Sequence, residues 1–193
     1  RDRPEGLVIA LAQDTEAWVV LGDDAVAPRL VDTLSAGGAQ VVHLAGDSVS
    51  VEALEAAFAG TDAARRRGVI DTRALGAEDT AAAACGHRAA ALAQAALQLS
   101  PQPRLRFITR GAQPALVPAS VAPAQAAVLG VARTLALEAA SLETATIDLD
   151  PNQSGVDRVA QALAAPAGTE IALRGGAMWT PRLQRHHPPN AAA

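Results

Sequence analysis

Short apolar runs of strand length alternate along the chain with stretches whose apolar residues recur every three or four positions. Leu7–Ala12 and Ala17–Gly22 are the first two runs. Val26–Ala36 has helical spacing and meets Gly37-Gly38, a natural stop because glycine accepts the backbone that ends many helices. Gln40–Ala45 reads as a strand, Ser50–Ala59 as a helix with Ser50 at its N-cap and Gly60 at its end, and Gly68–Thr72 as a brief strand. In Asp79–Leu99, the residues Ala82, Cys85, Ala89, Leu92, Ala96 and Leu99 alternate at spacings of three and four, which aligns them on one helical face. Ser100-Pro101 ends that helix, since the residue before proline avoids the α region. There follow strand Arg104–Thr109, helix Pro123–Leu137 with proline in its first turn, strand Thr144–Leu149, helix Val156–Ala164, and strands Glu170–Leu173 and Met178–Leu183.

Strands alternating with helices predict an α/β fold, a mostly parallel sheet with helices on both faces. No internal repeat or low-complexity linker divides the chain. Residues 1–185 read as one domain, and 186–193 (His-His-Pro-Pro-Asn-Ala-Ala-Ala) as a linker or cloning remnant.

Composition narrows the chemistry. Of 193 residues 50% are hydrophobic but 2% aromatic, so the core is built from Ala, Leu and Val. A formal net charge of −4 argues against nucleic acid as a partner. The chain has no tyrosine, and all 16 basic residues are arginine. That excludes any mechanism needing a phenol, a Schiff base or a phosphate-gripping lysine within this chain. Cys85, the one cysteine, allows no internal disulfide and fits a cytoplasmic setting. No apolar run reaches the roughly 18 residues of a membrane span, and no apolar signal region follows the charged residues 1–6, so no membrane partner is expected.

A doubly wound sheet invites a nucleotide, whose fingerprint sets three glycines after the first strand. The turn Gly22–Ala27 keeps one and places Asp23 and Asp24 where phosphates would lie, so it reads as a solvated turn capping a helix. Asp23-Asp24, Asp71 and Thr109 at successive strand ends resemble a phosphoacceptor receiver domain, where two acids hold Mg²⁺ and the lone aspartate takes the phosphoryl group. That pattern needs a lysine, which is absent; Arg110 sits on the wrong strand, and the chain has two strands too many. Cys85 and His87, two apart on a helix, point to opposite faces, so Cys85 reads as a core residue. His43 and His87 lack metal-ligand spacing, and Ser35, Ser48 and Ser50 lack the hydrolase elbow. Arg65-Arg66-Arg67 reads as a solvated loop before a strand, with a partner-docking patch as the alternative.

Residues 104–151 are more specific. Ile108-Thr109-Arg110-Gly111-Ala112-Gln113 resembles the "VTRGA" strand and loop of modular polyketide synthase ketoreductases. The helix from Ala124-Gln125-Ala126-Ala127 through Gly130 and Arg133 to Leu137-Glu138 resembles that family's "PAQAxxWGLGRxxALE". Asp148-Leu149-Asp150-Pro151 matches the strand end after it, and Glu170–Arg174 with Pro181-Arg182-Leu183 resembles the closing "xVAxR…xPRL". The chain departs from the pattern at Leu129 (for Trp), Ala132 (for Gly), Ala139-Ala140 (for His-Pro) and Asp71-Thr72-Arg73 (for a more apolar strand end).

The resemblance implies a truncated Rossmann-like, short-chain-dehydrogenase-like fold: the structural half of a ketoreductase in a bacterial, cytoplasmic multidomain synthase. Such a half has no catalytic, cofactor-binding or metal residues, and NADPH is expected in an adjacent catalytic half. The implied function is a scaffold that stabilises and positions that half or a neighbouring dehydratase, methyltransferase or enoylreductase domain; the departures point to a pseudo-ketoreductase. The alternative is an independent phosphoacceptor or small-molecule-binding α/β domain. Trp179, Arg182 and Leu183 form the candidate interface, although Trp179 reads first as the core's aromatic anchor and only second as an interface centre. Gly130, in mid-helix, is expected to mark a close approach to a strand.

Overall fold

A computed structural model describes residues 16–47, 49–115, 121–152, 156 and 158–183. The run Leu7–Ala12, Ser48 and the tail from residue 186 lie outside the described residues. The strands are β1 (Glu16–Leu21), β2 (Gln40–Leu44), β3 (Arg66–Asp71), β4 (Arg104–Arg110), β5 (Ala145–Leu149), β6 (Glu170–Arg174) and β7 (Ala177–Trp179). The helices are α1 (Val26–Ala36), α2 (Val51–Ala59), α3 (Ala82–Leu97), α4 (Pro123–Glu138) and α5 (Val159–Ala162), with short 3₁₀ turns at Asp79–Ala81 and Ala140–Leu142. They form one seven-stranded sheet in the order β2-β1-β3-β4-β5-β6-β7, parallel except for β7, which runs antiparallel to β6.

Helices cover both faces. The α2, α3 and α4 side buries Leu54, Phe58, Leu92 and Val128 against Val19, Val69, Leu105 and Phe107. The α1 and α5 side buries Leu30, Leu34 and Val159 against Trp18, Val20, Ile70, Ile108 and Ile147. Nearly every central-strand residue is buried, as expected of a parallel sheet covered twice. Local signals are where the chain pattern puts them: Ser50 Oγ accepts from Ala53 N–H at the start of α2, and Gly37 and Gly60 close α1 and α2. Among the described residues, no helix is long and apolar enough to cross a membrane.

The aromatic anchor is Trp18, fully buried on central β1, rather than Trp179, which stands 45% exposed on edge strand β7. Trp18 pairs with Gly68 and Gly68 with Arg104 across three neighbouring strands. The missing side chain at Gly68 makes room for the indole, and the Arg104 guanidinium lies 4.3 Å from the ring centre. The expected close approach at Gly130 is corrected in the same terms. Gly130 is exposed, and a Cβ built on it meets nothing within 4 Å.

Two elements are shorter than their patterns suggest. The strand expected over Met178–Leu183 ends at Trp179, because Pro181 has no N–H for a ladder. Helix α5 ends early where the Arg106 side chain takes the Leu163 and Ala165 carbonyls at 3.0 Å each. Arg106 also bonds the Leu105 and Glu143 carbonyls. Burial first, and the nearby Arg104 charge second, push this guanidinium down to about 10. It remains a cation at neutral pH, and its carbonyl partners offset its removal from water.

Candidate functional site

In the order β2-β1-β3 successive strands are added first on one side of β1 and then on the other, and ligands of open α/β sheets sit in the crevice at the carboxyl ends of such a pair. Here that crevice is filled from within. Thr72 Oγ1 lies within hydrogen-bond reach of the Leu21 carbonyl, at 2.8 Å, and of Asp24 Oδ2, and shares its single proton between them. The other Asp24 oxygen accepts from Val26 N–H at 2.7 Å and Ala27 N–H at 3.3 Å, taking donors of the helix N-terminus that would otherwise face a phosphate. Gly22 runs at φ 135, and a Cβ there would lie 2.9 Å from Asp24 Oδ2 and closer still to Thr72 Oγ1. The glycine admits Thr72, not a ligand. Asp23 and Asp24 make the same turn acidic.

The acids of the phosphoacceptor pattern are likewise engaged. Asp23 Oδ2 accepts from Gly46 N–H at 2.9 Å. Asp71 makes a two-pronged pair with Arg73, with Nε–Oδ1 and Nη2–Oδ2 both 2.8 Å and both side chains buried. Arg73 also donates to the Asp47 carbonyl at 2.6 Å, and Asp47 pairs with Arg88 at 2.6 Å. Thr109 Oγ1 donates to Asp148 rather than facing an open site. Among the described residues, no three His, Cys, Asp or Glu side chains are grouped to hold a metal ion.

The remaining sequence candidates have separate structural roles. Cys85 is buried, with Arg88 Nη2 3.6 Å from its sulfur, while His87 is exposed. His43 Nε2 donates to the Gly22 carbonyl at 2.7 Å. The arginine run is not a loose loop: Arg66 and Arg67 begin β3. Arg65 bonds the Gly38 carbonyl at 3.2 Å, Arg66 pairs with Glu143, and Arg67 stacks 5.1 Å from the Phe58 ring centre.

The segments with the most specific motifs converge at the carboxyl ends of β4, β5 and β6. Asp148, fully buried, accepts from Thr109 Oγ1 at 2.6 Å, Ala112 N–H at 2.8 Å and Gln113 N–H at 3.1 Å, and pairs with Arg174. Arg174 further donates to the Leu149, Leu173 and Gln113 carbonyls at 2.9, 2.9 and 2.8 Å. Gln125 of α4 accepts from Arg110 N–H at 2.7 Å. Asp150 accepts from Gly175 and then Asn152, both 2.9 Å, and these backbone bonds hold its carboxyl below the usual value. These motif residues fasten the loop after β4 to α4 and to the β6–β7 turn. Sequence reasoning placed them in motifs without finding this shared task.

A cleft of roughly 460 Å³ opens beside that network. Trp179, Leu129, Ala126 and Pro181 give it an apolar lining, and Arg133 and Glu170, joined by paired bonds of 2.6 and 2.9 Å, line it as well. Trp179 is therefore the wall of an open cleft, and Arg182 and Leu183 follow it, both exposed.

No family model matches the chain. Over 105 residues, 52% of its length, the chain is 37% identical to a subunit of the phenolphthiocerol/phthiocerol polyketide synthase of Mycobacterium tuberculosis. The corresponding Mycobacterium bovis protein matches to the same extent, and the chain spans 7% of the length of either relative. The structure of a C2-type ketoreductase from a modular polyketide synthase superposes with a TM-score of 0.73 at 25% identity, covering 92% of this chain and 42% of that one. The first ketoreductase of the tylosin synthase gives 0.70 at 19% identity, covering 93% and 43%. The chain is thus homologous to a segment of a polyketide synthase and has the Rossmann-type fold of modular polyketide synthase ketoreductases.

Proposed function

We propose that this chain is a non-catalytic structural half of a ketoreductase-type region in a polyketide synthase. Its task is to stabilise and position the NADPH-dependent catalytic half, or a neighbouring dehydratase, methyltransferase or enoylreductase domain. The observation that carries this reading is the crevice between β1 and β3, filled by Thr72 and Asp24 where a nucleotide would need room and positive charge. The absence of tyrosine and lysine from the whole chain is consistent with it. Trp179, Arg182 and Leu183, exposed together beyond β6, are its docking residues. Leu129, standing where the resembled helix has tryptophan, lines the adjoining cleft, so the docking face is reshaped as in a pseudo-ketoreductase.

Titration of the 193-residue chain with NADPH, followed by nucleotide fluorescence, tests the reading. No saturable binding is expected. A dissociation constant of about 1 μM, equivalent to roughly 8 kcal/mol of affinity, would overturn it.

A further inference from the structure

We infer that the apolar run Leu7–Ala12 closes the free edge of β2, as an antiparallel strand added to the same sheet. The edge itself is the first support. Gly22 N–H donates to the Leu44 carbonyl at 3.3 Å, so the backbone groups of Leu44, and in alternation those of Val42 and Gln40, face β1. The N–H and C=O groups of Val41 and His43 therefore point to the outer side. Among the described residues, no strand lies beyond β2 to meet them. Gln40–Leu44 holds no proline, lysine or acid, and an edge of that kind pairs with another strand unless something covers it. The opposite edge, β7, is three residues long and soon meets Pro181.

The second support is an apolar match. Val41 packs against the α1 and α5 side of the sheet, Val42 and Leu44 against the α2, α3 and α4 side, and all three are only half-buried. Both faces thus run out at β2 with apolar groups still in contact with water. Leu7–Ala12 is apolar at all six positions. As a strand it presents Leu7, Ile9 and Leu11 to one face and Val8, Ala10 and Ala12 to the other. A strand with one wet face alternates apolar with polar residues, whereas this run needs cover on both faces.

Chain length selects the edge and the direction. Ala12 lies four residues before Glu16, where β1 begins, a reach of about 13–14 Å at full extension. The place beyond β2 is two strand spacings from β1, about 10 Å, whereas the place beyond β7 is six, about 29 Å. The β2 edge is within reach and the β7 edge is not. A strand parallel to β2 would leave Ala12 at the carboxyl end of the sheet, about 13 Å along the strands and about 16 Å in all from the start of β1. That is too far. Antiparallel addition sets Ala12 beside Gln40, at the amino end, and Gln13–Thr15 then has only the crossing of about 10 Å to span.

The test is NMR on the isotope-labelled 193-residue chain, reading cross-strand NOEs and amide exchange. We expect NOEs from residues 7–12 to Val41 and His43, and slow exchange at the Val41 and His43 amides. The double variant Ile9→Pro with Ala10→Pro removes an N–H facing β2 whichever register is adopted, because successive residues face opposite sides. Leu11→Asp instead puts a charge into the added strand. Each should speed exchange at Val41 and His43 about tenfold or more and leave Val19 and Val69, in the central ladder, unchanged. Thermal unfolding checks that both variants are folded. Fast exchange at Val41 and His43 in the parent chain, or exchange there that neither variant alters, overturns the inference. NOEs from residues 7–12 to β7 or to a helix overturn it as well. Protection that grows with protein concentration makes a second copy the occupant and overturns it too. None of these outcomes touches the scaffold reading, which the NADPH titration tests separately.

Discussion

Replacing Gly68 with alanine should destabilise the domain by about 3–5 kcal/mol, a large share of the roughly 5–15 kcal/mol that holds a typical domain together. The magnitude comes from the indole lying across that glycine. An added Cβ would lie 2.5 Å from Cε3 and 2.9 Å from Cη2 of Trp18, and closer still to Cζ3. Comfortable carbon contacts are about 3.5–4.0 Å, so the ring must move by about an ångström. It has nowhere free to go. Trp18 is fully buried, its Nε1 donates to Glu16 Oε2 at 3.0 Å, and Arg104 sits 4.3 Å from the ring centre while pairing with the same Glu16. Overpacking costs about 1–3 kcal/mol, a desolvated cation–π contact about 1–2, and a buried hydrogen bond about 1. Urea denaturation reads the result. With a slope of about 2 kcal/mol per molar, the midpoint should fall by roughly 2 M at unchanged slope. In a Trp18→Leu background the smaller side chain leaves room, and the same Gly68→Ala change should cost less than about 1 kcal/mol, a coupling visible in a double-mutant cycle. A single variant within about 1 kcal/mol of the parent, or equal costs in both backgrounds, would refute the packing argument.

Gly130→Ala should raise stability by about 0.5–1 kcal/mol, because the position is helical, exposed and free of neighbours; a loss in denaturant midpoint would show a contact there after all. Arg174→Lys should cost about 2–4 kcal/mol despite keeping the charge, since one ammonium cannot serve Asp148 together with the Leu149, Leu173 and Gln113 carbonyls. Thermal unfolding within about 2 °C of the parent would show that lysine serves as well.

How much was legible in the sequence depended on whether the signal was local. The alternation of apolar runs and helical spacings is set by two backbone periods, 2.0 and about 3.6 residues, so it gave every described strand and helix within a few residues. Ser50 and Gly60 were readable for the same reason: capping is decided within one turn of the residue concerned.

Neighbours distant in sequence decided the rest. Trp18 and Trp179 look alike in a list of aromatics, and the sheet order made one central and the other an edge residue. Gly68 and Gly130 are both glycines amid apolar neighbours; the close approach fell to Gly68 because register places Trp18 beside it. The three consecutive arginines became three unrelated contacts once β3 lay between β1 and β4. Asp148 and Arg174, 26 residues apart, met because β5 and β6 are parallel neighbours, and their pairing fastens the loop after β4. A linear pattern specifies which residues must leave water, but which of them meet follows from strand order and register, and those are settled when the whole sheet assembles.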